Sequence, residues 1–462
     1  MNESIIIGEQ VHQQFTSRAT LVALGVKLHK NNVLEPIRQK VKIEQKTVKY
    51  TPLDKLTDGL IAILAGAHGL VEINKRVRSD LALQAAFGRK GCAEQSVVQE
   101  TLDACTILNV TQMQQAVEQI YRRQSQGYRH DYQQRMQLLD IDTTGRPCGR
   151  KATFATKGYF ARRPNCRGRQ EGYVLASLYE EIVVKRLYSG STQLTTALQP
   201  LVEAAEHVLE MSLEKRQQTV LRIDSGGGST DDVNWMLERG YLVHSKDFSG
   251  QRAERLAATV SEWIDDPRTP GRQVGWVTEE TQLYCRPIRR VAVRCQKANG
   301  QWGIGVILSN LSPEQVLGFI NFLPGLVQDA RTIVLAYVYF YDLRGGGVET
   351  EIKEDKQGLG TTHRNKKRFE GQQMVCQLEV LAHNILVWLR LWLASSCPKV
   401  TKLGLLRLVR DVIHINGSIV FSQVSIIHQV ILNKFDPLAA DLLPGFAALL
   451  AQEQVPVILG EI

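Results

Sequence analysis

A chain of 462 residues is too long for one small core and points to two to four domains. Its 44% hydrophobic content excludes a disordered polymer, and 56 Lys and Arg against 47 Asp and Glu leave a net charge of +9, which favours a polyanionic partner without requiring one. The eight cysteines are scattered, with no Cys-x-x-Cys pair, so they read as reduced cytosolic thiols and not as a disulfide framework or zinc site.

The opening MNESIIIGEQ lacks the cationic start and long apolar run of a signal peptide. The most apolar stretch, 380–394, is short and interrupted by His383, Asn384 and Arg390, so no membrane span is expected and the protein reads as cytoplasmic. Residues 1–50 carry no clear pattern. From Leu53 the spacing of Leu56, Leu60, Ile63 and Leu64 predicts a helix ending near His68-Gly69. A second helix is expected from an N-cap at Ser79 to Phe87-Gly88. A third runs from about 92 to 105, after the basic turn Gly88-Arg89-Lys90-Gly91. Short helices around such a turn suit either a DNA-binding helix-turn-helix or an ordinary bundle.

From Met136 the pattern changes. MQLLDIDTTG reads as a buried strand, and extended segments are expected near 151–160 and 172–188. A helix over about 194–216, the strand TVLRID, a helix capped by Ser229 and stopped at Gly240, and the strand YLVHSKD follow. This order predicts an α/β fold with a mixed sheet and flanking helices. A short helix near 252–263 and the extended pieces GRQVGWV, RRVAVRC and GIGVILS suggest a β-rich insertion over 249–330. The run TIVLAYVYFYDL reads as a strand ending at Gly345-Gly346-Gly347. A helix carrying Glu349 to Lys356 and a long helix over 366–394 come next. VIHINGSIVF reads as a hairpin with Asn416-Gly417 as its turn. The expected divisions are a helical DNA-end-binding region 1–130, a core over 131–248 and 331–400 split by the insertion, and a C-terminal region 401–462 available for a dimer contact.

Three acids stand at the ends of these elements. Asp140 and Asp142 share one face of an apolar strand, where paired carboxylates are costly unless a cation neutralises them. Asp224 ends an apolar strand before Gly226-Gly227-Gly228, and a phosphate-loop reading fails because the chain continues Ser-Thr-Asp with no lysine. Glu349, Lys353 and Lys356 share a helix face. Two acids on adjacent strands and one on a nearby helix can hold two divalent ions about 4 Å apart, and all-oxygen ligands suit Mg²⁺. Between 146 and 169 run Arg146, Arg150, Lys151, Lys157, Arg162, Arg163, Arg167 and Arg169, with Phe154, Tyr159 and Phe160 interleaved and no acid among them, a composition that suits a nucleic-acid track.

The motifs LDIDTTG, KGY, LRIDSGGGS and Tyr341-x-x-Arg344 followed by Glu349-x6-Lys356 resemble the DDE-type transposases of bacterial insertion sequences. The nearest group is the one named for its Tyr-Arg-Glu-Lys signature, insertion-sequence family four and its relatives. The resemblance covers about 136–396. It implies a ribonuclease-H-like core, with Asp142, Asp224 and Glu349 as the catalytic and metal-holding acids and Asp140 behind them. It further implies two Mg²⁺ ions (Mn²⁺ able to substitute), phosphate contacts from Tyr341, Arg344 and Lys356, and a homodimer pairing two double-stranded DNA ends. Such an enzyme binds terminal inverted repeats, cleaves the DNA and transfers the strand. The family usually has three residues between its Arg and Glu. Here there are four, Gly345 to Val348, and the Glu-x6-Lys spacing favours Glu349 over Glu351. The additional residue is expected either to bulge within the loop or to shift the helix and impair activity. Two further functions fit the same residues: a catalytically inactive DNA-binding derivative, and a metal-dependent nuclease that cuts without joining.

Overall fold

The computed structural model describes residues 12–46, 49–161, 163–279, 283–321, 329, 332–423 and 426–462. Its strands, in chain order, are β1 (His12–Thr16), β2 (Gln137–Pro147), β3 (Thr156–Lys157), β4 (Arg167–Ala176), β5 (Glu181–Ser189), β6 (Thr219–Ile223), β7 (Leu242–Lys246), β8 (Ile264–Asp265), β9 (Arg272–Trp276), β10 (Arg289–Gln296), β11 (Trp302–Ser309), β12 (Gly417–Gln423), β13 (Ile426–Asn433) and β14 (Val457–Gly460). The chain forms two compact units, one of Met1–Ser125, Cys148–Phe154 and Lys353–Ile462, the other of Gln126–Pro147 and Ala155–Ile352.

The first unit is mainly helical. Thr51 and Asp54 form a capping box ahead of the helix Pro52–Leu64, with Pro52 at its first position, where a missing N–H costs nothing. Asp80, not Ser79, caps the next predicted helix, through its bond from the Leu83 N–H. Arg89 of the basic turn is buried and paired with Asp58 at 2.9 Å and with Asp54, so it braces the helices from inside. The helix Phe369–Ala394 is longer than the apolar stretch read from the sequence. By length and composition it is apolar enough to cross a membrane, but 94% of its most apolar window is buried within the protein, as a core helix requires.

The expected hairpin at Asn416-Gly417 is not there. Gly417 opens β12, which pairs with β1 on one side and β13 on the other in the sheet β1-β12-β13-β14. A Cβ at Gly417 would run into the Ile431 carbonyl, so this glycine serves a close backbone approach and not a turn.

The second unit is built on one mixed sheet of order β3-β4-β2-β6-β7-β11-β10-β9-β8, with β5 paired to β4. β2, β6 and β7 run parallel; β4 pairs antiparallel with β2, and β11 antiparallel with β7. The segment 249–330 therefore adds β8 to β11 to the core sheet, through pairs such as Lys246 with Ile307.

The run read as a strand, TIVLAYVYFYDL, is the helix Ile333–Gly346. Val334 through Phe340 are all buried and pack against Leu138, Val220, Val274, Val291 and Ile307 of the sheet. A helix buried on every side needs no polar stripe, so its sequence loses the 3.6-residue period and looks like a buried strand. Each such side chain contributes roughly 1.5–3 kcal/mol through burial.

Candidate active site

Register brings the first two acids together. β2 and β6 pair in parallel with Ile141 opposite Ile223, so Asp142 and Asp224 follow side by side where that pairing ends, Asp142 within β2 and Asp224 just past β6. Asp142 accepts the Thr143 N–H at 2.7 Å, and Asp224 accepts the Ser225 N–H at 2.7 Å as the cap of a short turn. Gly228 lies so close to the Lys246 carbonyl that no Cβ fits, which explains the glycines after Asp224.

The third acid arrives through a helix break. The helix Ile333–Gly346 ends at Gly347, and the helix Val348–Gln357 begins at the next residue. Tyr341 and Arg344, three apart and so on one face, sit in the last turns of the first helix. Glu349 lies in the first turn of the second helix, where a carboxylate suits the helix dipole. The Tyr341 hydroxyl donates to Asp224 Oδ1 at 3.0 Å. Arg344 Nη1 meets Glu349 Oε1 at 2.7 Å, and its Nη2 meets Asp142 Oδ2 at 3.0 Å and the Ile141 carbonyl at 3.3 Å. Arg344 thus joins Asp142 to Glu349, and Tyr341 of the same helix holds Asp224. Across the break at Gly347, Glu349 faces Arg344 and Glu351 is buried.

The environments of the acids differ. Burial raises Asp142 to about 6, against the pull of Arg344, with Asp224 and Glu349 adding repulsion. Asp224 is also buried, but Arg344, the Ser225 N–H, the Tyr341 hydroxyl and Lys246 outweigh that and hold it below the ordinary carboxylate range. Burial, with Asp224 beside it, pushes the Tyr341 phenol far up, so it stays a donor. A carboxylate raised to about 6 when folded and about 3.9 when unfolded makes the folded state lose stability as pH rises between those values, because the folded form holds the proton longer. In chelator, Asp142→Asn is therefore expected to melt above wild type at pH 7, with the gap closing towards pH 4. Equal melting temperatures at both pH values would show that Asp142 is not strained by burial.

Asp140 does not join the other acids. It is fully buried and held by Arg222 through two bonds of 2.6 and 2.7 Å, with the Ser177 hydroxyl at 2.5 Å. Arg222 also donates to the Phe340 carbonyl at 2.6 Å, tying the Tyr341 helix to the sheet. A Cβ at Gly347 would lie 3.0 Å from Asp140 Oδ2, so the glycine lets the helix break pass over this ion pair. His244, buried on β7 and pushed by burial down to about 3, places Nε2 3.1 Å from the Tyr337 carbonyl and supports the same helix.

Arg169, counted in the basic track, is fully buried, as is Arg146, which pairs with Glu171 at 2.5 Å. β4 and β2 turn these two inward, since strand side chains alternate faces. Lys157, Arg163, Arg167 and Tyr159 are exposed, Phe160 is buried, and Arg162 lies outside the described residues. Lys356 stands in the last turn of the Glu349 helix.

Sequence reasoning missed Lys246. It ends β7, lies near Asp224, and lines a cleft of about 310 Å³ with Tyr341, Asp342, Arg272, Gly303 and Gly305. Its signal was positional: YLVHSKD ends on the strand beside β6, at the same sheet edge as both aspartates.

The transposase DDE domain group 1 family matches residues 12–430, and the chain belongs to that family. Among solved structures, the chain is similar to the piggyBac transposase in the cryo-EM structure of its synaptic complex with hairpin DNA. The identity is 12% and the TM-score 0.45, over 87% of this chain and 82% of that one. None of the curated proteins compared with the chain matches it.

Proposed function

We propose that this chain is a DNA transposase of the Tyr-Arg-Glu-Lys group that binds terminal inverted repeats, cleaves double-stranded DNA and transfers the strand. The observation that carries this reading is the convergence of Asp142, Asp224 and Glu349 on Arg344 and Tyr341. The strand order β5-β4-β2-β6-β7, antiparallel across its first three members and parallel across the rest, supports a ribonuclease-H-like core.

The donor set is oxygen only and carries more negative charge than Arg344 neutralises, which fits divalent Mg²⁺, or Mn²⁺ in its place. Asp142, Asp224 and Glu349 would hold the ions, which when bound supply charge neutralisation at the phosphoryl group. The protein's share is positioning. Tyr341 fixes the Asp224 rotamer, Arg222 anchors the helix carrying Tyr341 and Arg344, and Lys246 adds positive charge beside Asp224. Lys157, Arg163 and Arg167 offer exposed cations for DNA backbone contacts, and Tyr341, Arg344 and Lys356 take the phosphates near the cut. We further assign the N-terminal helices to end recognition, residues 401–462 to a contact in a homodimeric synaptic complex, and the protein to the bacterial cytoplasm.

The test is a strand-transfer assay with a pre-cut transposon end bearing a 3′-hydroxyl, a plasmid target and Mg²⁺. Joined product is expected. Nicking of uncut ends with no joining would leave a nuclease, and binding without either reaction an inactive derivative.

A further inference from the structure

We propose that Arg344 is the internal counter-ion of the acidic site, and that its hold on Asp142 and Glu349 opposes the binding of a divalent ion to those carboxylates. This rests on the reading of the three acids as metal ligands. Three observations carry it. Arg344 is 2% exposed, and its guanidinium spans the two acids from opposite nitrogens, at 2.7 Å to Glu349 and 3.0 Å to Asp142. The guanidinium charge lies against oxygens that a divalent ion would use, so cation and guanidinium compete electrostatically for the two acids. Arg344 is also imperfectly accommodated, because its Nε is buried with no acceptor. An unmet buried donor is costly, so the resting pose satisfies both Nη groups and leaves Nε unsatisfied. Finally, the residue lies just before the helix break, where added side chains at Gly345 and Gly346 would meet nothing. The last turn is therefore open on the side of these two glycines.

Such an arrangement keeps buried carboxylates neutralised when no metal is present, at the expense of metal affinity in the free protein. It also frees a planar fork, suited to a phosphate, at the moment metal enters. Metal and DNA would then strengthen each other's binding by the same factor.

The experiment measures Mn²⁺ binding to the full chain without DNA, by the loss of the free-ion paramagnetic resonance signal. Wild type is expected to bind weakly and Arg344→Gln at least about tenfold more tightly, which corresponds to about 1.4 kcal/mol. Arg344→Lys should fall between them, since one ammonium cannot hold two acids from opposite sides; it also serves if the Gln variant does not fold. In chelator Arg344→Gln should melt below wild type, and Mn²⁺ should raise its melting temperature by more than it raises that of wild type. The double variant Asp142→Asn, Glu349→Gln separates the two ideas. If it binds Mn²⁺ as wild type does, the acids are not the metal site and both readings fall. If it loses Mn²⁺ while neither Arg344 variant binds more tightly than wild type, only the counter-ion proposal falls.

Discussion

Asp142→Asn or Glu349→Gln is expected to reduce strand cleavage by on the order of 10³-fold or more while leaving binding to transposon ends nearly unchanged. The two acids come from different elements, β2 and the helix Val348–Gln357, and meet at one guanidinium. Each substitution is isosteric and removes one negative charge, so it takes away an oxygen donor without opening a cavity. The proposed function assigns end binding to cations and surfaces elsewhere, so a gel-shift assay should show it intact. Cleavage of a labelled end in Mg²⁺ gives the rate. The expected higher melting temperature of the Asp142 variant at pH 7 excludes misfolding as the cause. Loss of binding with normal cleavage of the bound fraction would contradict the assignment.

Arg222→Met should have the largest effect on stability. Arg222 is 2% exposed and Asp140 is fully buried, and two short bonds join them. Removing the cation leaves an uncompensated buried carboxylate, at a cost of about 3–5 kcal/mol. The bond to the Phe340 carbonyl is lost with it, which loosens the helix that presents Tyr341 and Arg344. For a unit of this size the melting temperature should fall by roughly 6–20 °C. The double variant Asp140→Leu, Arg222→Met should recover most of that loss, because apolar groups of similar volume often replace a buried pair without net cost. A single variant melting within about 2 °C of wild type, judged on the same scale, would show that the pair is not shielded from water.

The local elements near the site were legible wherever a single physical cause sets them. A short apolar run between turn residues marks a buried strand, a helix announces its cap and its glycine stop, and these rules give β2, β6 and the helix Thr230–Glu238 with Ser229 and Gly240 in their expected roles. They fail where a helix is buried on every side or where a glycine answers to a distant segment. The Tyr341 helix lacks a polar face because it packs on all sides, and Gly417 is small because of Ile431, not because of a turn. The basic track was half legible: its charges are countable, but alternation across β2 and β4 turns Arg146 and Arg169 inward.

The sequence by itself supplied the candidates, three acids with an intervening Tyr and Arg, and a mixed α/β fold class. Only the tertiary structure decided which charges face one another. It gave Asp140 to Arg222 and left Asp142 to share Arg344 with Glu349. The reason is that local spacing constrains a side chain's direction over a few residues, whereas a charge's partner is chosen by strand register and helix packing across the sheet.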